Sequence, residues 1–78
     1  MKDVEIEKYI TELGERIRDL RKSQNMTQLD LSIKSNIDER QIQRLERGHT
    51  SATLKTLLKV AAGLNISIIE LFNFPKEK

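Results

Sequence analysis

The residues between positions 39 and 47 combine charged and amide side chains with two regularly placed apolar ones. Read as a short helix, this segment turns Ile42 and Leu45 toward a core. The side chains left outside are all polar: Glu39, Arg40, Gln43, Arg44 and Arg47. Guanidinium and amide groups can hydrogen-bond base edges and phosphates, and a short exposed helix fits the major groove of duplex DNA. The segment is therefore predicted to be a helix that contacts DNA.

A tight turn precedes this helix, so that Thr27–Gly48 is predicted to form a helix-turn-helix. Asn36 lies where the turn needs a left-handed backbone conformation, which asparagine tolerates better than most residues. Asp38 is predicted to cap the following helix, and Gln41, three residues later, completes a capping-box pattern. Gly48 is expected to end that helix as its C-terminal cap.

Length and composition exclude several classes of function. The chain has 78 residues and no cysteine, so we expect one domain over positions 1–78, without a disulfide framework or a thiolate metal site. A single histidine cannot form a metal cluster, and no nucleophile–base pair or phosphate-binding glycine loop is present, so neither an enzyme nor a cofactor or small-molecule ligand is predicted. Apolar runs are too short to span a membrane and the N-terminus has no signal-peptide core, which predicts a cytoplasmic protein.

The net charge of +2 is small, but its distribution along the chain is uneven. Acidic residues dominate positions 1–15. The basic residues of positions 16–47 are Arg16, Arg18, Arg21, Lys22, Lys34, Arg40, Arg44 and Arg47. Arginine outnumbers lysine there, as suits bidentate contacts to phosphate or guanine. The same distribution also fits an ordinary solvated helical surface, so charge alone leaves both interpretations open.

The spacing of apolar residues predicts an all-α protein with five helices, and no segment alternates with the period of a strand. The first helix is expected over 4–23, where Gly14 interrupts at a tolerable cost of about 1 kcal/mol. The third is expected over 39–47, the fourth over 54–63, and the fifth from a Ser67–Glu70 capping box to about Phe72. Positions 73–78 are expected to be a frayed tail, which leaves a folded core of about 4–72.

Each helix has an expected inward face. The expected inward residues are Ile6, Ile10, Leu13, Ile17 and Leu20 in the first helix, Leu29, Leu31 and Ile33 in the second, and Leu54, Leu57, Leu58, Ala61 and Ala62 in the fourth.

Four sequence segments together resemble one protein family. They are LGERIRDLR, MTQLDLSIKSNI, IQRLERG and TLKTLLKVAAGLNISIIEL, and they cover roughly 13–72. Their order and spacing resemble the phage-repressor/Cro-type, or xenobiotic-response-element, helix-turn-helix regulators. The short length is also similar to that of restriction-modification controller proteins. The resemblance implies a compact lambda-repressor-like DNA-binding domain of bacterial or phage origin.

The same resemblance implies roles for individual residues. Glu39, Arg40 and Arg44 match base-reading positions, and arginine can bond guanine O6 and N7 while glutamate accepts from cytosine N4. The positions implied to contact the DNA backbone are Thr27, Gln28, Gln43, Arg47, His49, Thr50 and Ser51. Arg21 and Glu46 match an ion pair that joins the first helix to the recognition helix; two independent surface charges are the alternative.

Positions 66–74 are unusually apolar. A short fifth helix can turn only one face inward, so some of its large side chains must remain outside the core. We therefore expect a homodimer with Ile69, Phe72 and Phe74 near the centre of its interface, unless Phe72 and Phe74 fold back over the protein's own core. The expected function is sequence-specific transcriptional regulation at a palindromic operator. Alternatives are the antitoxin of a toxin–antitoxin pair and a protein-interaction module that reuses the fold.

Overall fold

The computed structural model describes residues 1–75, and these residues contain five helices and no strand. The helices are α1 (Asp3–Ser23), α2 (Gln28–Ser35), α3 (Glu39–Glu46), α4 (Leu54–Gly63) and α5 (Ile68–Leu71). The all-α prediction is confirmed. The fifth helix ends slightly before its predicted limit, with Phe72 as its C-cap. The predicted tail continues past Pro75 into 76–78, which lie outside the described residues.

Side-chain caps define where most helices begin. The hydroxyls of Thr27, Thr53 and Ser67 each accept a hydrogen bond from the backbone N–H three residues later, at the starts of α2, α4 and α5. The capping box predicted for α3 is wrong. The Asp38 carboxylate accepts from the backbone N–H of Arg40 instead, so the first turn of α3 is capped without using the Gln41 side chain.

Residues with a left-handed backbone conformation follow four of the helices. Asn25, Asn36 and Asn65 have φ values of 58°, 56° and 59°, and they follow or cap α1, α2 and α4. Gly48 has φ of 70° just after α3, where its N–H donates to the carbonyl of Leu45. Only Asn36 and Gly48 were predicted. Asparagine is the residue with a β-carbon that best tolerates this conformation, which allows such short connections between helices.

The core draws on every helix. Its most deeply buried large side chains are Ile17, Leu31, Ile42, Val60, Leu64 and Leu71. The predicted inward face of α4 is partly wrong: Leu57 and Ala61 are buried, but Leu54, Leu58 and Ala62 are exposed and Val60 takes the inner position. α4 is rotated because it must pack against both α2 and α5.

The outer ends of α1 and α2 also differ from the prediction. In α2 only Leu31 of the three expected apolar residues is buried, while Leu29 and Ile33 are exposed. Ile6 in the first turns of α1 is exposed as well. An eight-residue helix has room for about one inward stripe, and in α2 that stripe also uses the small buried residues Ser32 and Ser35.

Gly14 is a packing requirement rather than a tolerated interruption. It is buried where α1 crosses the end of α3, and a β-carbon at this position would overlap the carbonyl oxygen of Leu45 and lie 3.0 Å from that of Glu46. Both obstacles are backbone atoms, which cannot rotate away. The absence of a side chain at Gly14 therefore sets how closely α3 approaches α1.

We predict that Gly14→Ala lowers the free energy of unfolding by about 1–3 kcal/mol, because overpacking against backbone outweighs the better helix propensity of alanine. Urea denaturation at one fixed protein concentration measures this. Glu15→Ala, at the exposed neighbouring position, is the matched control and should change stability by less than about 0.5 kcal/mol. A Gly14→Ala protein as stable as the control would contradict the close approach.

Candidate nucleic-acid interface

The α3 helix separates its side chains sharply into two faces. Ile42 and Leu45 are buried against the core, whereas Arg40 and Arg44 lie one helical turn apart and are exposed. Glu39 is partly exposed at the first position of the helix. The three residues predicted to read bases therefore lie on the polar side of α3.

The arginines of this face keep their hydrogen-bond donors available. Neither of the two ion pairs within residues 1–75 involves Arg40, Arg44 or Arg47. A guanidinium that is not already bound to a carboxylate can offer a planar pair of donors to guanine or phosphate. The α3 surface can therefore act as a cationic hydrogen-bonding face.

The residues predicted to contact the DNA backbone flank α3 on two sides. Thr27 and Gln28 begin α2, where the first-turn amides have no intrahelical acceptor. Gln43 is partly exposed on α3, and Arg47, His49, Thr50 and Ser51 follow in the polar segment after it. The backbone N–H of His49 donates to the carbonyl of Arg44, so this segment turns back on the helix.

Two hydrogen-bonding groups at the start of α2 already have partners within the chain. The Thr27 hydroxyl accepts from the amide of Asp30, and the Asp30 carboxylate accepts from the amide of Thr27. The hydrogen bond from the backbone N–H of Thr27 is the main cause that holds the pKa of Asp30 below its ordinary value, and the Thr27 side chain adds to it. The Thr27 amide is therefore already bound to a carboxylate, whereas the Thr27 hydroxyl still has its own hydrogen to donate to a phosphate beside the Gln28 side chain.

A buried ion pair joins α1 to α3. Arg21 donates from Nε to Oε2 of Glu46 at 2.7 Å and from Nη2 to Oε1 at 2.9 Å, a bidentate arrangement. Both side chains are at least 90% buried. The accepting carboxylate raises the pKa of Arg21, and burial opposes this only in part. The guanidinium therefore remains charged and held in one orientation.

The same pair reaches two further elements that the sequence did not indicate. Arg21 also donates from Nη1 to the carbonyl of Met26, just before α2, at 2.8 Å. The Gln28 side chain donates from Nε2 to Oε1 of Glu46 at 3.1 Å. Glu46, the last residue of α3, is thereby bonded to Gln28, the first residue of α2. Gln28 has a structural partner besides any phosphate.

The residues predicted for a dimer interface occupy the opposite end of the chain. Ile69 is 79% exposed and Phe72 is 45% exposed, and the rings of Phe72 and Phe74 lie 6.3 Å apart. Phe74 is partly buried. Leu54 and Leu58, which the sequence had placed inside, add two exposed apolar side chains one turn apart on α4. An exposed position for both was not foreseen, because α4 carries apolar residues on more than one face.

Within residues 1–75, no group of histidine and acidic side chains is arranged to hold a metal ion. The described part of the chain also contains no helix of the length and apolar character needed to cross a membrane.

The packed helix-turn-helix and the free arginine face define a helix-turn-helix DNA-binding domain. Residues 17–71 match the helix-turn-helix family HTH_3, and the chain belongs to that family. This confirms the family resemblance inferred from the sequence. No curated protein sequence matches the chain.

Several solved structures are similar to this chain. The restriction-modification controller protein C.AhdI from Aeromonas hydrophila is 32% identical, with a TM-score of 0.78 over 80% of this chain and 94% of that one. The controller protein C.Esp1396I, crystallised as a tetramer with its natural 35 base-pair operator, is 33% identical, with a TM-score of 0.78 over 82% and 84% of the two chains. An HTH_3 family transcriptional regulator from Vibrio cholerae is 26% identical, with a TM-score of 0.81 over 85% of this chain and 37% of that chain.

We predict that Arg21 and Glu46 act as one unit in stability. Either Arg21→Ala or Glu46→Ala should lower the free energy of unfolding by about 3–5 kcal/mol, because each leaves a buried charge without its partner. The double variant should cost much less than the sum of the two single variants. Urea unfolding of the four proteins measures the coupling.

The matched control is the exposed pair Lys8 and Glu12, whose charged atoms lie 3.9 Å apart on the surface of α1. Its coupling energy should be below about 0.5 kcal/mol. Additive effects of Arg21→Ala and Glu46→Ala would mean that the buried pair does not act as a unit.

Proposed function

We propose that this chain is a transcriptional regulator of the restriction-modification controller type, which binds a two-fold symmetric operator in double-stranded DNA as a homodimer. In this proposal the chain is one DNA-binding domain that catalyses no reaction. It works in the cytoplasm of a bacterium or of a phage-infected cell, where DNA is accessible.

One observation carries the proposal: the donors of Arg40 and Arg44 face solvent on a helix whose orientation is held from behind by the Arg21–Glu46 pair. A helix presented in this way can enter the major groove without rearranging its core contacts. We assign base reading to Glu39, Arg40 and Arg44. We assign phosphate contacts to Thr27, Gln28, Gln43, Arg47, His49, Thr50 and Ser51.

The similar structures support the same conclusion. C.Esp1396I, at 33% identity, was crystallised as a tetramer on its operator. One helix-turn-helix domain contacts only a few base pairs, so a regulator needs two or more copies to recognise a site specifically. On that basis we infer that this chain also binds duplex DNA and forms an oligomer.

The exposed apolar side chains of α5 support a dimer. Ile69 and Phe72 line one exposed apolar surface, and Leu54 and Leu58 are further exposed apolar side chains on α4. Exposed apolar patches often mark protein–protein contacts. We propose that Ile69, Phe72 and Phe74 lie near the two-fold axis. The partial burial of Phe74 keeps some of its surface on its own subunit.

The first test removes one base-reading side chain. Arg44→Ala should weaken binding to a site selected from random duplex DNA by about 1–3 kcal/mol, while binding to random duplex falls less. Fluorescence anisotropy at one salt concentration measures both. Arg18→Ala removes the same charge from the exposed surface of α1 and should lower the two affinities slightly and equally. Equal losses for Arg44→Ala on both DNAs would rule out base reading by Arg44.

The second test places a charge in the proposed interface. Phe72→Glu should yield a folded monomer with weakened operator binding, because a dimer would have to bury the carboxylate. Sedimentation and circular dichroism report the two properties. Ile33→Glu, at an exposed apolar position of α2, is the control and should leave the dimer intact. An unchanged Phe72→Glu dimer would refute the placement, and global unfolding would assign Phe72 to the core.

A further inference from the structure

The side-chain amide of Gln28 has a fixed orientation. Its Nε2 donates to Oε1 of Glu46 at 3.1 Å, from the first residue of α2 to the last residue of α3. A carboxylate accepts hydrogen bonds and donates none, so the nitrogen of the amide, and not its oxygen, must face Glu46. Nε2 carries two hydrogens, and this contact uses one of them. The second hydrogen has no acceptor within residues 1–75, so it can donate to a ligand.

The accepting carboxylate is itself held in place and neutralised. Arg21 donates to both of its oxygens, at 2.7 Å and 2.9 Å. The side chain of Glu46 is only 3% exposed, so it does not meet a ligand directly. Its negative charge lies against a guanidinium, and the two opposite charges cancel much of each other's field at the start of α2. A phosphate there meets a hydrogen-bonded ion pair and not a lone carboxylate.

A glutamine without such a partner would bind a phosphate less well. Its side chain has several rotamers, and one of its two amide orientations presents the oxygen, which repels phosphate oxygens. Fixing one orientation before DNA arrives removes part of the entropy cost of the contact. The neighbouring Thr27 amide is already bound to Asp30 at 2.9 Å, which leaves the Thr27 hydroxyl and the Gln28 amide as side-chain donors. Glu46 sets the orientation of one of these two donors.

We propose that Glu46 is a positioning residue for DNA binding: it turns the Gln28 amide so that the second N–H donates to a phosphate of the duplex. Arg21 keeps Glu46 in place, and Glu46 itself touches no DNA. This inference rests on the proposed function, which assigns a phosphate contact to Gln28. Because Glu46 also ends α3, the same carboxylate fixes a backbone contact relative to the base-reading face. Backbone contacts set the register in which bases are read.

The experiment replaces the ion pair without leaving a lone buried charge. In Arg21→Met/Glu46→Leu both partners become apolar, a change that buried ion pairs often tolerate. Gln28→Met keeps the length of the side chain and removes its donors, and it is made in the parent chain and in this pair-replaced chain. Fluorescence anisotropy measures the binding of all four proteins to a random-sequence duplex at one salt concentration. Circular dichroism reports whether each protein is folded.

Gln28→Met should lower the affinity of the parent chain about five- to tenfold, because a hydrogen bond to a charged group is lost. In the pair-replaced chain the same substitution should lower the affinity less than about twofold, because the amide is no longer oriented. Arg47→Ala is the matched control, since Arg47 directly follows Glu46 and is exposed. It should lower the affinity by the same factor in both backgrounds, which excludes a general displacement of the end of α3.

A second measurement does not depend on the folding of Arg21→Met/Glu46→Leu. In ¹⁵N-labelled parent protein, the two side-chain proton signals of the Gln28 amide are identified by their loss in Gln28→Met. When the duplex is added, the proton bonded to Glu46 should keep its chemical shift and the other proton should move. Movement of the bonded proton would mean that Gln28 leaves Glu46 to reach DNA, and the positioning role would be wrong.

Three outcomes of the binding experiment would overturn the positioning role and leave the proposed function standing, because Arg47→Ala still weakens binding in each. Equal losses from Gln28→Met in the two backgrounds would mean that Gln28 contacts DNA without help from Glu46. A greater loss in the pair-replaced chain would mean that Glu46 competes with phosphate for the amide. Unchanged binding by Gln28→Met in the parent chain would make the bond to Glu46 purely structural.

A different result would contradict the proposed function itself. If neither Gln28→Met nor Arg47→Ala weakens the binding of the parent chain to duplex DNA, the assigned phosphate contacts are wrong. The positioning role of Glu46 would then be refuted together with the DNA interface on which it rests.

Discussion

The approach of α1 to the C-terminal end of α3 fixes the orientation of the helix that carries the exposed arginines. Gly14 allows the two backbones to approach closely. Two turns further along α1, the Arg21 guanidinium donates two hydrogen bonds to the Glu46 carboxylate. Gln28 adds a bond from α2 to the same carboxylate. Removing two charges from water costs free energy that their attraction only offsets, so such a pair is best understood as a determinant of geometry rather than as a source of stability. The direction in which α3 points is thus decided inside the protein.

The surface charges of the molecule are separated by sign. The arginines of α3 and of the segment after it extend outward on one side, whereas carboxylates line the outer half of α1. This separation creates a direction in the electrostatic field even though the net charge is only +2. A polyanion approaching from solution is therefore oriented toward α3 before any specific contact forms.

Local signals in the sequence predicted the helices better than their rotations. Thr27, Thr53 and Ser67 act through bonds spanning three residues, and Asn36 through its own backbone, so neighbouring residues suffice to recognise them. Leu58 and Val60 illustrate what neighbouring residues do not decide. Either side chain could face inward on an apolar helix, and the positions of α2 and α5 determine which of them is buried. The role of Gly14 depends on a backbone some thirty residues away, and the bond from Gln28 to Glu46 needs two helices already in place. The base-reading and phosphate-contacting assignments depend on a ligand outside the chain and stay predictions.

The short connections described above also have a kinetic meaning. Each helix follows the previous one after a few residues, with Asn25, Asn36, Gly48 and Asn65 making the reversals. Chains dominated by contacts between such near neighbours fold within microseconds to milliseconds. Synthesis at about 5–20 residues per second is far slower than that. For a protein that must pair before it acts, the slow variable is then the encounter of two subunits, whose rate rises with the square of their concentration. Such a protein responds to its own abundance with a delay set by accumulation, not by maturation.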